Sequence, residues 1–168
     1  MKNMILTIVG LLVILCSSCY TYKIYPTAYR TLTNINPKRT AYVINDTLAK
    51  EFKILRSSQL FNITTDSDAA DLSIKLYPIK KRLVCGQAFT VSMFTAGQFP
   101  VIFPDTYLYK FDEIENGQST KREIELKIAQ RVWFWDMLVF NKRFEEKAGK
   151  AVLGEYNAIK QLTFKANY

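Results

Sequence analysis

Asn116-Gly117 stands between two stretches that alternate apolar and polar residues. Both central residues of a type I′ turn need positive φ, and Asn-Gly meets that need at little cost, so this pair predicts a two-residue β-hairpin. After the turn, Ile124, Leu126, Ile128, Val132 and Phe134 alternate with Glu123, Glu125, Lys127, Arg131 and Trp133. A period of two over 119–135 reads as one long strand with a wet face. Before the turn, over 107–115, Tyr107, Tyr109 and Phe111 share one face and Leu108 and Ile114 the other. An antiparallel sheet is therefore the element around which the chain must organise.

The flanking segments supply further strands and two helices. Residues 41–44, AYVI, predict a short strand, and Asn45 or Asp46 offers a helix N-cap. Leu48, Phe52, Ile54 and Leu55 recur at helical spacing, so 47–60 is an amphipathic helix packed on the sheet by one face. Phe61-Asn62-Ile63 is a short extended piece. Asp66, Asp68 and Asp71 lie in a polar turn. As an EF-hand this run fails: no Gly stands at the sixth loop position, and Tyr77 takes the place of the bidentate Glu. Side chains capping their own backbone explain the aspartates better. Leu72, Ile74 and Leu76 mark a half-buried strand over 70–77, and Pro78 ends it or places it near an edge. At the C-terminal end, 143–162 reads as a helix with Phe144, Ala148, Ala151, Val152, Tyr156 and Ile159 as its apolar stripe. Glu145 and Glu146 at its start and Lys160 near its end suit the macrodipole. Gly149 and Gly154 each weaken it by about 1 kcal/mol relative to Ala. The fold class that follows is α+β: an antiparallel sheet of about four or five strands with two helices on one face, in the order β-α-β-β-hairpin-α.

One stretch stands apart. Residues 83–104 carry no charge. Gly86, Gly97, Pro100 and Pro104 interrupt the stretch, and Gln87 and Gln98 add polar cost, so it makes a poor membrane helix. Phe89, Val91 and Met93 suggest a strand over 88–95, with a turn over 96–100. The segment is either a buried strand with a packed loop or an exposed apolar flap that touches membrane or a partner. Lys80, Lys81 and Arg82 precede it, as a solvated turn or a contact for lipid headgroups. Trp133, Phe134, Trp135 and Phe140 crowd the end of the long strand. They close the core, sit at a membrane interface, or form a stacking platform with Arg131. Phe94, Phe99, Phe103, Trp133 and Trp135 are thus the candidate interaction surface.

The chain has no histidine, which excludes every His-dependent triad, Cys–His pair, HExxH zinc site and His-ligated haem. Neither GxxxxGK[ST], GxGxxG nor GxSxG occurs. Asp112 with Glu113, or Glu123 with Glu125, could be named as acid–base pairs, but glycosidase-type chemistry needs two carboxylates held in a cleft. Nothing in their spacing shows one. No catalytic residue, metal or cofactor is expected. With 49% hydrophobic and 23% charged residues the chain is globular in class, and 168 residues suggest one domain. The net charge of +8 allows an anionic partner without naming it. Nucleic acid is not expected, since the basic residues are dispersed and form no RNP-type motif.

The N-terminus reads as an address. Lys2 precedes the uncharged apolar run 4–15, too short to span a hydrocarbon core, and Ser17, Ser18 and Cys19 follow. These residues resemble a bacterial lipoprotein signal peptide, which implies cleavage after Ser18 and lipid, with palmitate among its acyl chains, on Cys19. Cys16 stands where the usual pattern has Leu. It is itself a poor attachment site, because Leu15 would then precede the cut. An ordinary signal peptide or an uncleaved anchor is the competing reading. The domain plan is then a signal peptide over 1–18, a tether over 19–40 and one α+β domain over 41–168. The tether carries Tyr20, Tyr22, Pro26 and Pro37; it lies against a membrane interface or packs along the domain edge. Loss of Lys2 with the leader lowers the net charge by one. Cys85, left without a partner if Cys19 carries lipid, is expected to be buried as a small hydrophobe.

Several short features resemble those of small bacterial envelope lipoproteins of the accessory and assembly type. They are the helix ending at Leu60-Phe61, Ala70-Asp71-Leu72 leading into a strand, Phe94-Thr95-Ala96-Gly97 followed by Pro100, and the late strand ending in Trp133–Trp135. The resemblance implies a compact domain tethered by an N-terminal lipid, an envelope protein as partner, and no catalytic residues. It implies the outer membrane, since no Asp follows Cys19, and a periplasm-facing position, since no acidic residue precedes Asp46. The functional expectation is a non-enzymatic binding or scaffolding accessory in envelope transport or assembly. The rival is a periplasmic sugar-binding module or hydrolase that uses the Trp133/Trp135 surface.

Overall fold

The computed structural model describes residues 20–33, 38–82, 100–133 and 144–166. In chain order they form β1 (Tyr20–Tyr25), a 3₁₀ turn (Thr27–Thr31), β2 (Arg39–Val43), α1 (Ala49–Ser58), β3 (Phe61–Thr64), β4 (Leu72–Arg82), β5 (Val101–Glu115), β6 (Gln118–Val132) and α2 (Phe144–Ala166). The hairpin of β5 and β6 is the spine. Asn116 and Gly117 have φ of 50° and 78°, and the register runs unbroken from Glu115↔Gln118 to Val101↔Val132. Tyr107, Tyr109 and Phe111 on β5 and Ile124, Leu126 and Ile128 on β6 are buried on the face that both helices cover. Full burial of each such side chain is worth roughly 1.5–3 kcal/mol.

The class is α+β, but the sheet is neither antiparallel throughout nor limited to four or five strands. Among the described residues it has six strands in the order β1-β6-β5-β4-β2-β3, and β2 runs parallel to both β3 and β4. Helix α1 is the crossover that makes β3 parallel to β2. The chain then reaches the other side of β2 through residues 65–71 alone. That short path suffices because Thr64 lies level with Tyr42 and Leu72 with Ala41. The step is two strand spacings sideways, roughly 10 Å, with almost no travel along the strands. Asp71 holds the crossing: its carboxylate accepts from the Thr40 N–H at 2.7 Å, and its own N–H donates to the Thr40 carbonyl at 2.9 Å. Thr64 and Asp66 accept from backbone N–H groups two residues on, so this run does cap its own turn.

Three local readings are settled. Residues 20–25, within the expected tether over 19–40, follow its domain-edge alternative: they form the strand β1, paired antiparallel with 127–132 of β6. Ile24 is fully buried and Tyr22 packs edge-on against Phe144. Asn45 does not cap α1. Its side-chain amide donates to the Leu76 carbonyl and accepts from the Leu76 N–H, both at 2.8 Å. It thereby extends the ladder where β2 has ended, and Glu51 continues it by accepting from the Ile79 N–H at 2.9 Å. Pro78 does not end β4 but sits inside it past the stretch paired with β2, so the near-edge alternative holds. A register shift between Tyr77 and Lys80 accommodates it, so the inward set 72, 74, 76 becomes 79, 81.

The two helical glycines have a purpose that helix propensity hides. A Cβ on Gly149 would lie 2.6 Å from the Ser57 carbonyl carbon, so this glycine lets α2 touch α1. A Cβ on Gly154 would enter the Tyr29 ring. Both therefore exchange a propensity cost for close packing. The stripe of Phe144, Ala148, Ala151 and Val152 is buried, whereas Ile159 is 42% exposed. No helix of the described residues is long and apolar enough to cross a membrane.

Candidate functional site

β1, β5 and β6 come to one end of the sheet. Tyr20 and Val101 both lie level with Val132, and Trp133 follows directly. If Cys19 carries lipid, the lipid is covalently next to β1, with no linker between it and the sheet. Of the five residues expected to form an interaction surface, Phe103 and Trp133 lie among the described residues, and both lie at this end. Phe94, Phe99 and Trp135 fall outside them, as do Cys19 and the remainder of 83–99, including the expected strand at 88–95 and Cys85. Strand alternation turns Phe103, half-buried, toward the helix side. Trp133 is half-buried and carries the Arg131 guanidinium 5.2 Å from its ring centre. Arg131 alternates onto the opposite face. The two aromatics thus share an end of the sheet and not a face.

The face away from the helices is polar, and its cations outnumber its carboxylates. Lys75, Lys110, Lys121 and Lys127 run along its middle, and Lys23 and Arg131 lie toward the Trp133 end. Glu123 pairs with Lys110 at 2.6 Å and Glu125 with Arg82 at 3.9 Å. Exposed pairs of this kind are worth about 0–1 kcal/mol, so they organise charge more than they stabilise the fold. Asp112 also points to this face yet is only 7% exposed, with the Tyr77 hydroxyl donating to it at 2.8 Å. That hydrogen bond to a carboxylate raises the Tyr77 pKa, because it favours the protonated phenol.

The remaining buried carboxylates each have structural partners. Asp105 accepts from Lys81 at 2.7 Å and from the Tyr107 hydroxyl at 3.3 Å. Glu51 holds Ile79, and its own carbonyl accepts from the Tyr109 hydroxyl at 3.0 Å. Burial pushes the Tyr107 and Tyr109 phenols well above their usual range, because a phenolate there would be poorly solvated. Glu113 accepts from Arg122 and from the Tyr156 hydroxyl, both at 3.1 Å. The Arg122 side chain also lies over the Tyr156 ring, 5.8 Å from its centre. Burial and then Glu113 raise the Tyr156 pKa.

Asp112 and Glu113, neighbours in sequence, face opposite sides of the sheet; Glu123 and Glu125 share the open face, each committed to a cation. Among the described residues no three acidic or sulfur side chains gather to hold a metal ion.

Sequence reasoning missed the Glu113–Arg122–Tyr156 cluster. Its members come from β5, β6 and α2. The one available signal was Arg122 at an inward position of an otherwise apolar alternation. Compared with family models and with curated proteins, the chain matches none of them.

Proposed function

We propose that this protein is a lipid-anchored accessory of the bacterial cell envelope that binds a partner and performs no chemistry. One observation carries most of this reading: the residue after Cys19 is already the first residue of an edge strand. A lipid on Cys19 would hold the Val101/Val132 end of the sheet at the bilayer surface. Trp133, with a ring suited to the interface, and the cations Lys23 and Arg131 lie toward that end, as contact with anionic headgroups would require. A several-chain lipid anchors far more firmly than one acyl chain, so no spanning helix is needed. The outer membrane and a periplasm-facing domain remain part of the proposal, on the residues that follow Cys19.

The rival sugar-binding or hydrolytic reading has less support. The Arg131 guanidinium already lies over the Trp133 ring, where a sugar would stack. The buried carboxylates of the described residues are committed to hydroxyls, amides and cations. The test is Cys19→Ser in intact cells. Labelling by a palmitate analogue should disappear and the protein should leave the membrane fraction. Continued labelling without Cys19 would overturn the anchor.

A further inference from the structure

β1 covers β6 only over 127–132. Among the described residues, nothing pairs with the other edge of β6 over 118–126. Counting from the two-residue turn, the Glu115↔Gln118 pair is hydrogen-bonded across the hairpin, and the pattern then alternates. The N–H and C=O groups of Ser119, Lys121, Glu123 and Glu125 therefore point away from β5, toward the uncovered edge. The edge is walled on one side by α2. A groove of about 290 Å³ lies between them, lined by Arg122, Ile124, Tyr156, Ile159 and Lys160 with Lys121 and Glu123. The 42% exposure of Ile159 is part of this groove: the apolar stripe of α2 runs on past the strand it would have covered.

We infer that this groove takes an extended peptide segment of a partner protein, paired as a strand on 119–125, with its acidic side chains on the helix side, toward Lys160. The charges select that occupant. Glu123 and Glu125 are answered by Lys110 and Arg82, and Arg122 by Glu113. Lys121 and Lys160 make no ion pair among the described residues. Charged residues along an edge discourage indiscriminate pairing, so a matching charge pattern would decide which strand is admitted. A second copy of this chain fits less well, because antiparallel pairing centred on Glu123 would oppose two Glu123 side chains. β1 already shows the pairing mode on the same strand. β1 and β3 offer shorter outer edges, of six and four residues, and the edge of β4 beyond β2 is already engaged by Asn45 at Leu76 and by Glu51 at Ile79.

This deepens the reading as a binding accessory and does not depend on the lipid. The test uses the full chain in detergent micelles and a capped octapeptide alternating glutamate with valine, followed by amide hydrogen exchange. With peptide at ~100 times its Kd, exchange at Lys121, Glu123 and Glu125 should slow about 100-fold. A peptide with lysine for glutamate should bind about 10-fold more weakly or worse. N-methylation of alternate peptide residues should abolish binding, and this arm needs no variant of the protein. Glu123→Pro removes an outward N–H and should abolish binding in a folded chain. Lys160→Glu should reverse the preference between the two peptides. Protection on β1 or β3, equal binding of the N-methylated peptide, or self-association that protects 119–125 without peptide would each overturn the proposal. The Cys19→Ser chain should bind the peptide unchanged, so failure of the anchor and failure of the groove are read separately.

Discussion

Strand β6 is two different surfaces in one element. Over 127–132 it has β5 on one side and β1 on the other, and β1 contributes the fully buried Ile24. Over 118–126 β5 is its one partner strand among the described residues, with α2 beside it and a groove between. Both halves place charged residues on the open face, Lys121, Glu123 and Glu125 in the uncovered half and Lys127 and Arg131 in the covered one. The alternation reports which face is wet. It does not report which edge is paired, because side chains stand perpendicular to the hydrogen-bonding direction. Covered and uncovered edges can therefore carry the same pattern and do different work.

The comparison breaks most sharply if β1 turns out to be a passive tail. Ile24→Ala should cost about 2–5 kcal/mol in urea unfolding, as for any fully buried aliphatic side chain. Glu125→Ala on the uncovered half should stay within about 0.5 kcal/mol. Equal costs would mean that β1 adds nothing to the core.

Proline probes the two edges directly, since positions 123 and 129 both direct their N–H away from β5. Ala129→Pro removes a bond to β1 and should cost about 3 kcal/mol, whereas Glu123→Pro, on an open edge, should cost about 1 kcal/mol or less. Similar denaturation midpoints for the two would show that the edge over 118–126 is covered after all.

Two substitutions test how the covered face is sealed. Asn45→Ala strands the Leu76 N–H and carbonyl and should cost about 1–3 kcal/mol. Gly149→Ala improves helix propensity but drives a methyl group into Ser57, so it should destabilise by about 1–3 kcal/mol. A stabilising Gly149→Ala would place α2 farther from α1.

The smallest effect is the pH dependence of that face. Tyr107, Tyr109 and Tyr156 have phenol pKa values raised by burial, so the folded state holds their protons more tightly than the unfolded chain. Their contribution is complete below the unfolded value of about 10 and declines as pH rises above it. Denaturant midpoints should be lower at pH 11 than at pH 8, and Tyr109→Phe should reduce that drop. An unchanged drop would assign the alkaline loss to other groups.

The hairpin, the amphipathic α1, the strand from Leu72 and the stripe of α2 were legible because each declares itself by local periodicity or turn chemistry. β1 was not. Its six residues, YTYKIY, give little hydrophobic alternation, and their burial depends on a partner strand about a hundred residues away. The parallel pairing of β2 was equally hidden, since nothing in 65–71 says which side of β2 the chain will reach. Asn45 looked like a helix cap because Asn favours caps; the free edge of β4, supplied by another segment, outcompeted the helix terminus for its amide. Ile159 looked like core because the helical period includes it, and the end of sheet coverage left it in a groove.

By itself, the sequence determined the α+β class, the turn at Asn116-Gly117, the inward faces of β4 and β6, and the exclusion of histidine chemistry. These follow from period, backbone conformation and residue type, which are local. Strand order, the mixed sheet, the joining of β1 to the domain, and the groove beside the uncovered half of β6 were decided only by the tertiary structure. Hydrogen-bonded edges and interhelical approach are relations between distant segments, and no single segment encodes its partner.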